Sequence, residues 1–310
     1  MNQAMNVPTP DVSVIIPTHN RIQMLEEALA SALSQEFDGT FEIIVVDDCS
    51  HDGTPRTVGE KYPKVRLVCL PQRVKNYAAR NQGILTAKGR YIAFLDDDDL
   101  WEKNYLQEQI HALENQEKSF GVSGLVTWDV GTNEKQMSNQ KPNLKKFPTL
   151  LHHLLVVNFI TTLSTIVFPK QLFAEVGLFD ESYKFGGDAE LYTRCLMAGY
   201  QPVFTEKPLA IHRIHSNGQM TDAGNLIMRK KSRFERVGKL YPSIAEHFDI
   251  APLRQIYAEI HASYAYKFFT KKLYKQWIFS SLACARYGSP RFAVATMARH
   301  LKSALKKKLK

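Results

Sequence analysis

The chain has 310 residues, 44% hydrophobic and 23% charged, an ordinary balance for folded structure with a full core. Four scattered cysteines (Cys49, Cys69, Cys195, Cys284) form no C-x-x-C pair, which excludes a disulfide framework and a zinc cluster and points to a reducing compartment. The net charge of +9 is uneven: from Ile260 onward there are 12 Lys or Arg and no Asp or Glu, whereas residues 1–259 hold 28 basic and 31 acidic side chains.

The N-terminus has no basic flank before an apolar run, and Val12–Pro17 is too short for a signal-peptide core. Asp11–Ile16 is β-branched and apolar, and Pro17 ends it, so it predicts a strand. Asn20 is placed to cap the next helix, where Ile22, Leu25, Leu29 and Leu33 recur at helical spacing. Phe41–Val46 is a continuous apolar run of the kind a parallel sheet buries on both faces, stopped by Asp47-Asp48. Asp52-Gly53 marks a turn. Val65–Leu70 predicts a third strand, Val74–Ala87 a helix, Tyr91–Leu95 a fourth strand and Trp101–Glu114 a helix. The alternation is βαβα, hence an α/β fold.

Phe120–Trp128 predicts a further strand, and the polar stretch Gly131–Pro148 an excursion or mobile loop. Leu150–Phe168 is the densest apolar segment, but His152, His153 and Asn158 interrupt it, so it reads as buried structure; no stretch reaches the roughly 18 apolar residues of a membrane-spanning helix. Leu163–Phe168 predicts a strand, Lys170–Val176 and Asp188–Ala198 helices, and Val203–Glu206 and Ala210–Ile214 short extended pieces. Beyond about Asn225 the chain reads as helical.

Polar clusters follow three of the strands: Thr18-His19-Asn20, Asp47-Asp48 and Asp96–Asp99. Open α/β sheets bind ligands at the carboxyl ends of their strands. Four adjacent carboxylates repel one another and call for a compensating cation or solvent, and a hard divalent ion takes oxygen ligands; the competing reading is an acidic turn that caps the next helix. Asp47-Asp48 can accept from a base or ribose, or cap Ser50–Thr57. Asp188, in Phe185-Gly186-Gly187-Asp188-Ala189-Glu190, can serve as a general base or as a helix cap. In His212-Arg213-Ile214-His215, an extended backbone sets His212 and Ile214 on one side and Arg213 and His215 on the other, the latter pair suited to phosphate or metal.

Taken together, these blocks resemble the family 2 glycosyltransferases, inverting enzymes of GT-A fold, over roughly Asp11 to Gly218. The resemblance implies a GT-A type nucleotide-diphospho-sugar transferase fold with a mainly parallel sheet, plus a helical C-terminal region. It implies a catalytic domain over 1–222, with nucleotide binding in about 11–100 and the acceptor and base region in about 150–220, followed by a basic helical region over 223–310. Val14-Ile15-Ile16-Pro17-Thr18-His19-Asn20-Arg21 resembles the opening strand and loop, with Pro17, His19 and Asn20 on the nucleotide. Asp48 matches the aspartate that contacts the base, and Arg80, in Ala79-Arg80-Asn81-Gln82-Gly83, the arginine near the nucleotide. Asp96 and Asp98 match the D-x-D carboxylates: Asp98 is expected on the metal, Asp96 beside it, Asp97 near the ribose or donor sugar, and Asp99 only at a helix start. Asp188 falls on the general-base position. Arg213 and His215 match an Arg-x-His, with Arg213 on the donor and His215 approaching metal or diphosphate.

The implied reaction is inverting transfer of a sugar from a nucleoside diphosphate sugar, with UDP the expected nucleotide, to a hydroxyl of a glycan or lipid-linked acceptor, with Mn²⁺ or Mg²⁺ as cofactor. Asn158, Thr161 and Gly187 are placed in the acceptor region, though Val157–Thr162 reads equally as a buried segment. Polysaccharide, lipopolysaccharide or capsule biosynthesis is the expected setting, in the cytoplasm or peripherally on the inner membrane face. Lys306-Lys307-Lys308, flanked by Leu305 and Leu309, suits an anionic membrane surface or a solubilising terminus. No motif points to specific nucleic-acid binding. This chain departs from the family in carrying Gly187-Asp188 where many members have Glu-Asp, and it lacks the Gln-x-x-Arg-Trp motif of processive members. The alternatives are a non-catalytic nucleotide-sugar or glycan-binding module, which would need lost carboxylates, and a nucleotidyltransferase, which tends to open on a glycine-rich loop that Asp11–Asn20 lacks.

Overall fold

The computed structural model describes residues 9–215 and 223–308, with side chains described up to residue 300. Lys306-Lys307-Lys308, Leu305 and Leu309 therefore lie outside the described side chains. Two compact units are present. The first comprises Met1–Lys141, Ile160–Ser182 and Arg194–Asn217, the second Pro142–Phe159, Tyr183–Thr193 and Gly218–Lys310.

The first unit is built on a nine-stranded sheet. Its strands are β1 (Val12–Thr18), β2 (Phe41–Asp47), β3 (Val65–Cys69), β4 (Tyr91–Phe94), β5 (Asp99–Trp101), β6 (Ser119–Asp129), β7 (Glu134–Ser138), β8 (Ile166–Pro169) and β9 (Gln201–Ile214). They are ordered β3-β2-β1-β4-β8-β6-β9-β5, with β7 paired to β6. The β3-β2-β1-β4 half and the β6–β9 pair are parallel, while β8, β5 and β7 join antiparallel. The fold is α/β as expected, but the sheet is mixed: parallel pairing follows the early βαβ crossovers, and the later strands reverse direction.

Helices α1 (Ile22–Leu33), α2 (Thr54–Lys61), α3 (Asn76–Thr86), α4 (Tyr105–Leu113) and α6 (Gln171–Val176) belong to this unit; α5 (Leu150–Val156) belongs to the second. The run in β1 is continuous because both of its faces are covered. Val12, Val14 and Ile16 join a buried cluster with Leu25, Ala28, Leu29 and Ala32 of α1. On the other face Ile15 meets α3 at Gly83, where an added Cβ would stand 2.4 Å from Ile15 Cγ2. That glycine lets α3 approach closely and carries Arg80 of the same helix toward the sheet's carboxyl edge.

Three local expectations change. Asn20 does not cap α1: its φ is 52°, its Oδ1 accepts from His51 N, and Asp52 Oδ2 accepts from Ile22 N instead. Residues 99–101 form a strand rather than a helix start, because they pair with Ala210–His212. Glu134–Ser138 form an exposed edge strand inside the expected polar excursion, held by pairing to Leu125–Asp129 rather than by an apolar face. In addition, Leu163–Thr165 is a 3₁₀ turn capped by Thr162, so the following strand starts at Ile166, and the two short pieces near residue 205 are one strand that bulges opposite Ser123–Leu125 of its partner.

The second unit holds α5, the start of α7 (Gly187–Met197), α8 (Leu226–His247), α9 (Leu253–Thr270), α10 (Tyr274–Tyr287) and α11 (Pro290–Lys308). Ile256, Ile260, Tyr264 and Phe268 recur at helical spacing along the buried side of α9. His153 of α5 lies between Phe147 and Phe159, with ring centroids 4.3 and 4.8 Å away. No described helix is long and apolar enough to cross a membrane.

Candidate active site

Burial and register build the carboxylate cluster. After β4 the chain turns tightly, with Asp99 N donating to Asp96 O at 3.0 Å. The antiparallel ladder then sets Asp99 opposite His212. Asp96, Asp98 and Asp99 each offer an oxygen within 4.8 Å of the others.

The four aspartates have unequal surroundings. Asp96 pairs with Arg80 and lies 3.1 Å from Thr162 Oγ1. Asp97 accepts from Thr18 Oγ1 (2.8 Å) and Arg21 (3.0 Å). Asp98 accepts from Arg21 at 2.8 Å and lies 3.2 Å from His215 Nε2. Asp99 is fully buried among His212, Ser164 Oγ (2.7 Å), Thr162 Oγ1 (3.0 Å) and Arg213 N (3.3 Å).

Electrostatics follow this geometry. Burial, reinforced by the charge of Asp98, pushes Asp97 up to about 6. Burial also acts against ionised Asp98, but the hydrogen bond with His215 and the charges of Arg21, His215 and His212 outweigh it and hold Asp98 below the usual carboxylate range. Asp99 is raised by burial. Burial opposes a charged His212 too, yet its hydrogen bond to Asp99 and that charge raise it to about 9.

The first two strand ends come together beside this cluster. His19 Nδ1 lies 2.7 Å from Asp48 O, and Asn20 Nδ2 lies 3.1 Å from His19 Nε2. Asp48 is buried and accepts from Val74 N (2.6 Å) and Lys75 N (2.9 Å), so it also anchors the loop leading into α3. Pro17 stands in β1 opposite Val46. Arg80 is buried between Asp96 and Asn76, and its Nε has no hydrogen-bond partner. Arg213 donates to Asp98 O at 2.6 Å and pairs with Glu27.

The two sides of residues 212–215 meet different aspartates: His212 meets Asp99, whereas Arg213 and His215 meet Asp98. His212 joins the carboxylates as closely as Arg213 and His215 do, because β9 pairs directly with β5. Sequence reasoning also missed Arg21, which bridges Asp97 and Asp98, and the Thr162 and Ser164 hydroxyls around Asp99. Arg21 carried a signal, since it directly follows the first polar strand end. The two hydroxyls carried none, because only the return of the chain at β8 brings them to residues 96–99.

In the second unit, Asp188 occupies the first turn of α7 after Gly187, and Asn158 Nδ2 donates to Asp188 Oδ2 at 3.1 Å. Gly186 before them has φ +80°, a conformation glycine adopts without strain. Thr161 lies in the first unit, is exposed, and donates its backbone N–H to Gln140 Oε1 at 2.6 Å.

Residues 13–177 match the family described as Glycosyl transferase family 2. A putative teichuronic acid biosynthesis glycosyltransferase, TuaG, of Bacillus subtilis is 38% identical over 119 residues, 37% of this chain and 46% of the relative. The chain spans about half to two thirds of the length of the curated relatives it matches. Among solved structures, TarS 1–349 of S. aureus in complex with UDP-GlcNAc superposes with a TM-score of 0.63 at 20% identity, over 92% of this chain and 83% of that one. The mannosyltransferase PcManGT of Pyrobaculum calidifontis, in complex with GDP-Man and Mn²⁺, gives 0.60 at 21%, over 96% and 81%. At these identities the likeness shows the fold.

Proposed function

Because the chain belongs to glycosyl transferase family 2 and has a GT-A type fold, we propose that it transfers a sugar, with inversion, from a nucleoside diphosphate sugar to a hydroxyl of a glycan or lipid-linked acceptor. The observation that carries this reading is the convergence of Asp96 and Asp98 with Arg21, Arg80 and His215 at the carboxyl edge of the sheet.

The donor set fits a divalent cation, Mn²⁺ or Mg²⁺. Three carboxylate oxygens within 4.8 Å are the hard ligands such ions take. Asp99 is fully buried whereas Asp96 and Asp98 keep exposed surface, so Asp98 and Asp96 would hold the ion, with His215 beside Asp98. A bound divalent ion supplies neutralisation of the departing diphosphate.

This chain's own residues do the rest. Arg80, with its free buried Nε, offers a positive donor to the nucleotide phosphates. The Pro17, His19, Asn20 and Asp48 group receives the base, and UDP is the proposed nucleotide. Asp97, close to Arg21 and Thr18, lies on the ribose or sugar side, and Arg213 stiffens the turn behind Asp98. Asp188 removes the proton of the acceptor hydroxyl, which attacks the anomeric carbon opposite the leaving group. Asn158 orients the Asp188 carboxylate. The transition state is oxocarbenium-like. Asn158, Thr161 and Gly187 remain the proposed acceptor region, and 1–222 the proposed catalytic domain.

Calorimetric titration of UDP with and without Mn²⁺ tests the site. Wild-type protein should bind UDP more tightly with Mn²⁺, and Asp98→Ala should abolish that gain. Unchanged metal dependence in the variant removes Asp98 from the role.

A peripheral membrane location is part of the proposal. On α10, Tyr274, Ile278, Phe279 and Leu282 are 53%, 45%, 64% and 59% exposed, and Lys271, Lys272 and Lys275 stand exposed nearby. An apolar stripe among lysines suits an anionic bilayer surface.

A further inference from the structure

Positive charge collects within the second unit on one stripe of α8. Arg229, Arg233 and Arg236 follow an i, i+4, i+7 spacing, which sets them on one helix face. Lys267 of α9 comes to the same place: Lys267 Nζ and Arg233 Cζ lie 5.1 and 5.4 Å from the centre of the Tyr264 ring. These cations repel one another. Burial, then Arg233 and Arg229, push Lys267 down to about 7. Burial, then Arg233, push Arg236 down to about 10, against the opposing pull of Asp188. Asp188 likewise acts on Arg233, whereas the charges acting on Lys267 are both cations.

Part of this charge has a structural use. Arg233 donates to Val156 O, and Arg236 Nη2 donates to Leu154 O at 3.3 Å, so both hold the C-terminal turn of α5. Capping alone leaves the arrangement unexplained. Arg236 is 1% exposed, and its Nε and Nη1 are buried without a hydrogen-bond partner. Burying guanidinium N–H groups without acceptors is costly, and an apolar side chain would fill the same space without that penalty. Among the described residues, the side-chain hydrogen bonds to α5 carbonyls from this stripe come from Arg233 and Arg236.

We propose that Arg229, Arg233 and Lys267 form a subsite for a phosphate or diphosphate ester carried by the acceptor, beside Asp188, with Arg236 as a buried charge behind it. The inference rests on the glycosyl-transfer reading of Asp188. Guanidinium forks match phosphate oxygens, and the Lys267 ammonium adds a point charge beside them. An uncharged glycan offers this cluster no counter-charge. A sugar joined through phosphate to a lipid, or a phosphate-bridged polymer, does.

The test uses the full chain with the donor site saturated by UDP and Mg²⁺. Glucose 1-phosphate, methyl glucoside and phosphatidylglycerol vesicles are titrated in parallel. Saturable binding is expected for glucose 1-phosphate and absent for methyl glucoside. Its affinity should fall at least ten-fold in Arg229→Gln/Lys267→Gln and recover in Arg229→Lys/Lys267→Arg. UDP affinity and melting temperature should stay at wild-type values, which separates a lost subsite from a damaged fold. Three results overturn the proposal: no glucose 1-phosphate binding with the donor site filled, equal affinity in the glutamine double variant, or a response to vesicles alone. Failure of the wild-type chain to bind UDP would count instead against the glycosyl-transfer reading.

Discussion

His212 Nδ1 stands 2.9 Å from Asp99 Oδ1, and the β5–β9 register sets the two residues directly opposite one another. Asp99 is fully buried, so His212 supplies the charge that keeps its ionised form tolerable. His212→Ala should destabilise the fold by about 3 kcal/mol, the lower end for breaking a buried pair, since Thr162 and Ser164 still bond Asp99. A urea titration reads this as a lower midpoint. A midpoint equal to wild type would show that Asp99 does not depend on the histidine.

Asp188→Asn keeps the shape of the side chain and the contact with Asn158 but removes the basic oxygen. Turnover should fall by about 10²–10⁴-fold, the usual contribution of a positioned base. Donor binding should persist. Initial rates with a nucleotide sugar and its acceptor, alongside calorimetry of the donor, check both halves, and near-normal turnover would end the base assignment.

Acid should destabilise the second unit through the buried His153 and the half-buried His261. Burial, then Lys146 and His152, lowers His153 to about 4; burial, then Lys230, lowers His261 to about 3. Both are bases near 6.5 when unfolded, so between 6.5 and these values the unfolded chain binds more protons. Their stability contribution is whole above about 6.5 and drains away as pH falls toward 4 and then 3. His261→Phe keeps the stacking on Tyr287, 5.4 Å between centroids, and cannot be protonated. Its melting temperature should drop less than that of wild type between pH 7 and pH 5, and parallel curves would refute the account.

If α10 meets a bilayer, its exposed apolar stripe should control binding. Phe279→Ser/Leu282→Ser should reduce sedimentation with vesicles containing phosphatidylglycerol while leaving UDP affinity intact. Equal sedimentation of the two proteins would move the membrane contact away from α10.

Much of the first unit was legible in the residues themselves. Continuous apolar runs such as Phe41–Val46 signal strands covered on both faces, and Leu25 and Leu29 mark the helix face that covers one side. The carboxylates after β4 were visible because like charges in sequence demand a reason. The edge strand Glu134–Ser138 was not visible, because its pairing uses backbone groups and leaves no apolar pattern.

Sequence by itself determined the α/β class and the three polar strand ends, since periodicity and adjacent charges are local properties, and its motif blocks carried the resemblance to the family. Tertiary structure alone decided what each aspartate does. Asp96 to Asp99 are identical side chains in one run, yet the return of β8 and β9 gives Asp99 to His212 and buries it, and leaves Asp96 and Asp98 with accessible oxygens. The same holds for Arg229, Arg233, Arg236 and Lys267. Along the chain they are ordinary surface cations, and only the packing of α8 against α9 gathers them into one cluster beside Asp188.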